Sequence, residues 1–293
     1  MVERSQGAGP RRNSAGLARD VDLLDALAAA GGEGLGVLRL AEVVGRDKAA
    51  VSRALATLAQ AGLVERDEAT RAFRPGPRLY ALAARTAESA LAIAARPVLR
   101  QVAARTRETA HLVVLHGASV LTVASQTSPR EVGTSAWDGR SSPSLRGSSG
   151  RVLLSDWSTA AVDAWLTELE AGGGGDPFGD VVAPPDGRFP VRPPGPNPAA
   201  VVHDAPSLHA ELARIRRRGW AVSDQELESG VLAISAPVRS AAGAVVAALN
   251  LSAPAVRLRP RVSELAPEVV RWADVISAGL GWSADEAVAG SRA

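Results

Sequence analysis

The stretch "GRDKAAVSRALATLAQAGLVERD", residues 45–67, decides how the first third of this 293-residue chain is read. It contains Lys48, the only lysine in a chain that otherwise uses arginine for its basic side chains. Asp47 is an N-cap candidate, Val51, Leu55 and Leu58 recur at helical spacing, and Gly62 supplies a stop. The spacing therefore predicts a helix over 47–62. With those three apolar residues facing inward, Lys48, Ala49, Ser52 and Arg53 fall on its outer face.

On the N-terminal side, "VLRLAEVVG" (37–45) reads as a shorter helix stopped by Gly45. Before it, "LARDVDLLDALAAAGG" (17–32) places Leu17, Val21, Leu24 and Leu27 on one face of an amphipathic helix. Ala41, Gly45 and Val51 then stand as A-x3-G-x5-V. A tight helix-turn-helix needs these types: a small residue where the helices touch, a turn residue tolerant of positive φ, and a buried apolar residue beyond it. On the C-terminal side, residues 63–67 and 72–76 flank Glu68–Arg71 as a small hairpin. Three helices and a hairpin in this order are the parts of a winged helix-turn-helix; an ordinary three-helix bundle with a charged face is the alternative.

In a helix-turn-helix, the N-terminal half of the second helix enters the major groove. Lys48 in its first turn opposes the helix dipole, a cost that makes sense with a phosphate or guanine edge opposite. Arg53 suits guanine O6/N7 or phosphate, and Ser52 reaches either. Arg66, Arg71 and Arg74 on the hairpin are placed to grip backbone phosphates. Charge agrees in direction. Residues 1–110 carry 17 Lys/Arg against 12 Asp/Glu, whereas 111–293 carry 16 against 19. A basic front suits a polyanionic partner.

The length predicts two domains at ~100–200 residues each. With 46% hydrophobic and 22% charged residues, both a core and a solvated surface are available. The absence of cysteine excludes disulfides, a thiolate nucleophile and Cys-ligated zinc. No apolar run reaches the ~18 residues of a membrane span, and the polar first residues do not read as a signal peptide. The expected location is the cytoplasm, with no membrane partner.

Beyond residue 76, a long helix is predicted over 77–96, with Pro97 starting another. "HLVVLHGASVLTVAS" (111–125) is a hairpin signal, repeated by residues 230–238 and 243–254, with helices at about 150–170 and 207–218. Residues 171–206 are Gly/Pro-rich, too long for an ordinary loop, and expected to be partly disordered. A last helix carries Leu265, Val269, Trp272 and Ile276 on one face. "RGSSGRVLLS" reads as a Gly/Ser loop feeding a helix, either a flexible turn or a cradle in which backbone N–H groups, Ser148 and Ser149 meet a carboxylate or phosphate. It is not a P-loop, since no Lys-Ser/Thr follows its last glycine. Asn250 and Ser252 share one side of a strand, as an exposed face or a pocket wall. A hydrolytic enzyme is the rival reading, but neither HExxH nor G-x-S-x-G is present. His111, His116, His203 and His209 read as surface or satisfied structural histidines, and no metal site is supported by spacing.

"LAEVVGRDKAAVSRALATLAQAGLVERD" and "AFRPGPRLYALA" resemble the N-terminal domain of IclR-type transcriptional regulators, although that segment alone is also similar to MarR-like regulators. "GRSSPSLRGSSGRVLLS" (139–155), with Gly139, Pro143, Gly150 and Arg151 in register, and residues 211–254 resemble the IclR effector domain and decide between them. The likeness covers roughly 17–280 without 171–206. It implies an α+β chain: a winged helix-turn-helix over 17–76, a linker helix over 77–96, and a GAF-like effector-binding and oligomerisation domain over 97–284 with a central antiparallel sheet. A basic arm (1–16) and a tail (285–293) flank these.

The resemblance further implies a non-enzymatic repressor without cofactor or metal. It implies a dimer or tetramer on a palindromic DNA operator, with a small, anionic, organic-acid-like effector. Carried over residue by residue, the effector site is Gly147, Ser148 and Ser149 on the loop, Ser223 and Asp224 after "RGW", and Ala233, Asn250 and Ser252 on the strands. Arg146 stands beside the cradle, placed to pair with an anion. Some acid-sensing members carry Cys where this chain has Ala233 and Ser where it has Asn250, so its ligand need not be the family's usual oxo acid. The remaining alternative is a rear domain that only oligomerises.

Overall fold

A computed structural model describes residues 12–134, 137–171, 178 and 201–283. Most of the expected arm, of the Gly/Pro-rich 171–206 stretch and of the tail lies outside these residues. The chain divides into two compact units, Met1–Thr86 and Ala87–Ala293.

The first unit contains α1 (Arg12–Ala29), α2 (Val37–Val43) and α3 (Lys48–Gln60). Its core is Leu23, Leu27, Leu40, Ala41, Val51, Leu55, Leu58, Val64 and Phe73. Helix α1 starts five residues before the expected position, and its buried face differs from the expected one. Leu17 and Val21 are exposed, while Leu23 and Leu27 pack inside. The helix-turn-helix spacing holds: Gly45 turns at φ 63°, Val51 is fully buried, and Ala41 is nearly so. Strands β1 (Val64–Arg66) and β2 (Phe73–Pro75) pair antiparallel as the hairpin. Leu35 adds a short third rung, its N–H donating to the Phe73 carbonyl at 2.9 Å and its carbonyl accepting from Phe73 N–H at 2.8 Å. The "RPG" turn needs its glycine because a Cβ at Gly76 would meet the Gly62 carbonyl oxygen at 2.5 Å.

The single linker helix expected over 77–96 is instead two helices, α4 (Pro77–Ala83) and α5 (Ala87–Thr106). They are separated where the units divide. Pro97, expected to start a helix, lies inside α5. Its missing N–H leaves the Ile93 carbonyl without its helical donor, and Ile93 is an exposed residue.

In the second unit, β3 (Thr109–His116), β4 (Ser119–Gln126), β5 (Ser141–Pro143), β6 (Ala221–Asp224), β7 (Val231–Arg239) and β8 (Val245–Pro254) form one sheet. Its order is β5-β4-β3-β8-β7-β6 and every neighbouring pair is antiparallel. After β8 comes the short helix α9 (Ala255–Leu258), and helices α5 and α10 (Val262–Gly279) cover one face, where Leu99, Val102, Leu265 and Val269 meet Leu112, Ile234, Leu249 and Leu251. The other face packs on α6 (Ser148–Leu153), α7 (Thr159–Ala171) and α8 (Ala205–Arg218) through Val152, Trp165, Leu208 and Leu212 against Val113 and Ala248. Strand side chains alternate between faces. Leu249 and Leu251 thus enter one layer while Ala248, Asn250 and Ser252 enter the other.

Helix α6 sits against the preceding loop with no space for a side chain at Gly150. A Cβ there would overlap the Ser144 carbonyl oxygen, whereas one at Gly147 would meet only Leu227 Cδ2, at 4.0 Å. Gly150→Ala should therefore destabilise this unit by roughly 3 kcal/mol, since backbone must move, while Gly147→Ala should be nearly neutral. Trp137, Trp157, Trp165, Trp220, Trp272 and Trp282 all lie beyond residue 86, so urea unfolding followed by tryptophan fluorescence reads this unit alone.

Candidate functional site

Helix α3 begins with the Asp47 carboxylate accepting from Ala50 N–H at 3.0 Å. Val51, Leu55 and Leu58 are buried, and Lys48, Ala49, Ser52 and Arg53 lie exposed on the opposite side. Among the described residues neither Lys48 nor Arg53 is held in an ion pair. The three hairpin arginines differ. Arg71 occupies the turn at φ 63°. The Arg66 guanidinium lies 5.3 Å from the centre of the Phe73 ring and donates to the Arg71 carbonyl at 3.4 Å. Arg74 shares its charge with Glu65, directly across the hairpin, at 2.7 Å. The hairpin turn is organised by Asp67, which accepts from Thr70 N–H, Thr70 Oγ1 and Ala69 N–H at 2.8–3.0 Å. The Thr70 N–H is the main reason its carboxyl is held below the usual range.

The second unit contains a partly open cavity of about 80 Å³ between the sheet and the start of α6. Seven of the nine residues expected at an effector site line it: Gly147, Ser148, Ser149, Ser223, Ala233, Asn250 and Ser252. Asn250 and Ser252 are buried, which makes them a pocket wall rather than an exposed face. The other two do not line it. Asp224 follows Ser223 on β6, so its side chain takes the opposite side, where both its oxygens accept from Arg259 at 2.7 Å. Arg146 is 9% exposed and outside the lining. The cavity wall thus holds no lysine or arginine among the described residues.

A hydroxyl network backs the cavity. Ser235 Oγ bonds Ser148 Oγ at 2.8 Å and Ser149 Oγ at 3.1 Å. The Asn250 amide donates to Ser235 Oγ at 2.9 Å and Ser149 Oγ at 3.1 Å. Sequence reasoning missed Ser235, although it alternates with Ala233 along β7, and it missed His111. That histidine is a buried, hydrogen-bonded one, as the structural reading expected, and it also forms part of the cavity wall. Its ring shares hydrogen bonds with Ser125 Oγ at 2.9 Å and Ser252 Oγ at 3.1 Å. Its partner across β8 is Asn250, a register that the sequence alone does not reveal. Thr134, Trp137, Leu227 and Glu228 complete one side and come from loops.

Helix α6 is held in place by Arg151, which is fully buried. Its guanidinium pairs with Glu226 through both terminal nitrogens, and also donates to the Leu145 and Val222 carbonyls at 3.2 and 3.3 Å. Glu226 additionally accepts from Val201 N–H at 3.2 Å.

Residues 16–68 match the IclR helix-turn-helix domain, and residues 83–172 and 198–278 match the domain described as bacterial transcriptional regulator IclR C-terminal. The second match alone covers over half of the chain. The chain belongs to the IclR family. It is a DNA-binding transcriptional regulator, not an enzyme, and its family match is interrupted within the Gly/Pro-rich stretch.

The Pca regulon regulatory protein of Pseudomonas putida is 30% identical over 144 residues, which are 49% of this chain and 42% of that protein. The HTH-type regulator BhcR of Paracoccus denitrificans is 34% identical over 98 residues, 33% of this chain and 32% of that protein. The chain thus spans less than half the length of these two curated relatives. Among solved structures, the transcriptional regulator RHA06195 of Rhodococcus sp. RHA1 is 28% identical with a TM-score of 0.65, covering 90% of this chain and 97% of that one. An IclR homologue of Microbacterium hydrocarbonoxydans, complexed with 4-hydroxybenzoate, shares the fold at 24% identity and a TM-score of 0.65, over 90% of this chain and 98% of that one.

Burial pushes the His111 imidazole down to about 4, so it is neutral at pH 7. A histidine with a depressed folded-state value costs stability as pH falls from about 6.5 to about 4, because the unfolded chain binds the proton first. The loss amounts to about 3 kcal/mol. Comparing urea midpoints across that window, His111→Gln should lose markedly less stability than the parent.

Proposed function

We propose that this regulator is an effector-responsive repressor that binds a palindromic operator as a homodimer or homotetramer in the cytoplasm. The observation that carries the reading is the exposed Lys48–Ala49–Ser52–Arg53 face of α3, set opposite its buried Val51–Leu55–Leu58 face. That arrangement suits a recognition helix in the major groove, with Arg66, Arg71 and Arg74 toward the phosphates. Homo-oligomerisation is supported by α4, which buries no residue and leaves Tyr80 78% and Leu82 56% exposed.

The effector site in this reading is the cavity lined by Ser148, Ser149, Ser223, Ala233, Asn250 and Ser252. Its volume of about 80 Å³ suits a small organic acid held by neutral donors. The 4-hydroxybenzoate complex of a structural relative supports that class. Effector binding in the second unit alters operator affinity of the first, a coupling free energy between two sites.

Gel-shift titration against DNA flanking the coding region, with competitor DNA and at two salt concentrations, supplies the operator and tests the reading. Arg53→Ala should weaken the specific complex by about 1–3 kcal/mol and leave ligand-induced melting shifts intact. Loss of both together would contradict the division of roles between the two units. Specific DNA binding without any ligand-induced shift would favour a second unit that only oligomerises.

A further inference from the structure

The segment between β6 and β7 is a hydrogen-bonded turn where it meets the cavity. Gln225 adopts φ 58°, its N–H donates to the Val231 carbonyl at 2.8 Å, and its side-chain oxygen accepts from Gly230 N–H at 3.0 Å. Next to it Glu226 turns inward to Arg151, and the two following residues, Leu227 and Glu228, form part of the cavity wall. The Glu228 position is therefore fixed by a buried ion pair two residues away and by a closed turn. Its carboxylate is in no ion pair among the described residues. Glu228 is an exposed residue, and the partial burial of its carboxyl pushes its pKa up. Arg140 borders an adjoining depression with Glu228 but is not part of the cavity wall.

The rest of the wall is uncharged: hydroxyls, the Asn250 amide, the His111 imidazole and apolar Val113, Val120 and Leu227. We propose that Glu228 sets the charge class of the effector, disfavouring a second carboxylate at its end of the cavity and favouring a hydroxyl or amine that donates a hydrogen bond to it. This rests on the cavity being the effector site, as proposed above. It narrows the effector to a small molecule with at most one carboxylate and a hydrogen-bond donor at the opposite end. A dicarboxylate would bring its second carboxylate against Glu228, which lies exposed at the open side of the cavity, so that like charges meet there with water screening part of the repulsion.

A matched probe series on a three-carbon frame tests this: 3-hydroxypropanoate, 3-aminopropanoate and malonate, titrated into the full chain by thermal melting. An Ala233→Leu variant, which fills the cavity, identifies shifts that do not come from this site. The expected result is that the hydroxyl and amine probes bind at least about tenfold more tightly than malonate, and that Glu228→Gln removes most of that difference by improving malonate. Malonate binding the parent as tightly as the other two, or an unchanged ranking in Glu228→Gln, would overturn the role of Glu228 while leaving the cavity as the site. Shifts no larger in the parent than in Ala233→Leu would overturn the cavity reading and this inference with it.

Discussion

The buried pairing of Arg151 with Glu226 is the constraint on which the second unit depends. Both groups are almost completely out of water, at 0% and 3% exposure. Withdrawing two charges from solvent is expensive, and their attraction repays it only when the remaining hydrogen-bonding capacity is filled. Here the guanidinium also bonds the Leu145 and Val222 carbonyls, and the carboxylate also bonds Val201 N–H. Five separate pieces of chain are thereby fixed to one point: the loop before α6, α6 itself, the segment before α8, strand β6, and the turn before β7. An apolar pair would fill the same volume but would not dictate which carbonyls it meets. The cavity follows from that registration. On one side of the pair α6 holds Ser148 and Ser149 over the sheet, and on the other the turn holds Leu227 and Glu228.

The sheet is asymmetric for the same reason. Its α5/α10 face is an uninterrupted apolar layer, whereas its other face changes character along the strands. Val113 and Ala248 belong to the apolar cluster with α6–α8, and two residues further along each strand stand His111 and Asn250. Buried polar groups are costly when unpaired. These are joined in hydroxyl, amide and imidazole networks, which a molecule entering the cavity would have to displace or extend. If it is the effector site proposed above, a cavity so constructed would distinguish ligands by hydrogen-bond geometry and charge more than by apolar contact.

Much of this was legible in the sequence. The A-x3-G-x5-V spacing located the helix-turn-helix because sterics leave few residue types at each of its three positions. Period-2 alternation placed Asn250 and Ser252 on one side of β8. The same alternation separates Ser223 from Asp224, which the family resemblance had carried over together. His111 and Ser235 were not legible as cavity residues because cross-strand register is set by tertiary packing. The continuous helix expected over 77–96 failed because helix propensity alone does not reveal where two compact units part. Pro97 was over-read as a boundary because its cost depends on whether the affected carbonyl is exposed.

The central claim, that the Arg151–Glu226 pair organises the cavity wall, is tested most directly by a double-mutant cycle. Stability is read from the tryptophans of the second unit in the parent, Arg151→Met, Glu226→Leu and the double variant. Each single change leaves a buried charge without its partner, for which about 3–5 kcal/mol is lost, and the double variant should lose far less than the sum. If instead the two losses simply add, or either single change is nearly neutral, the pair is not what holds the cavity together.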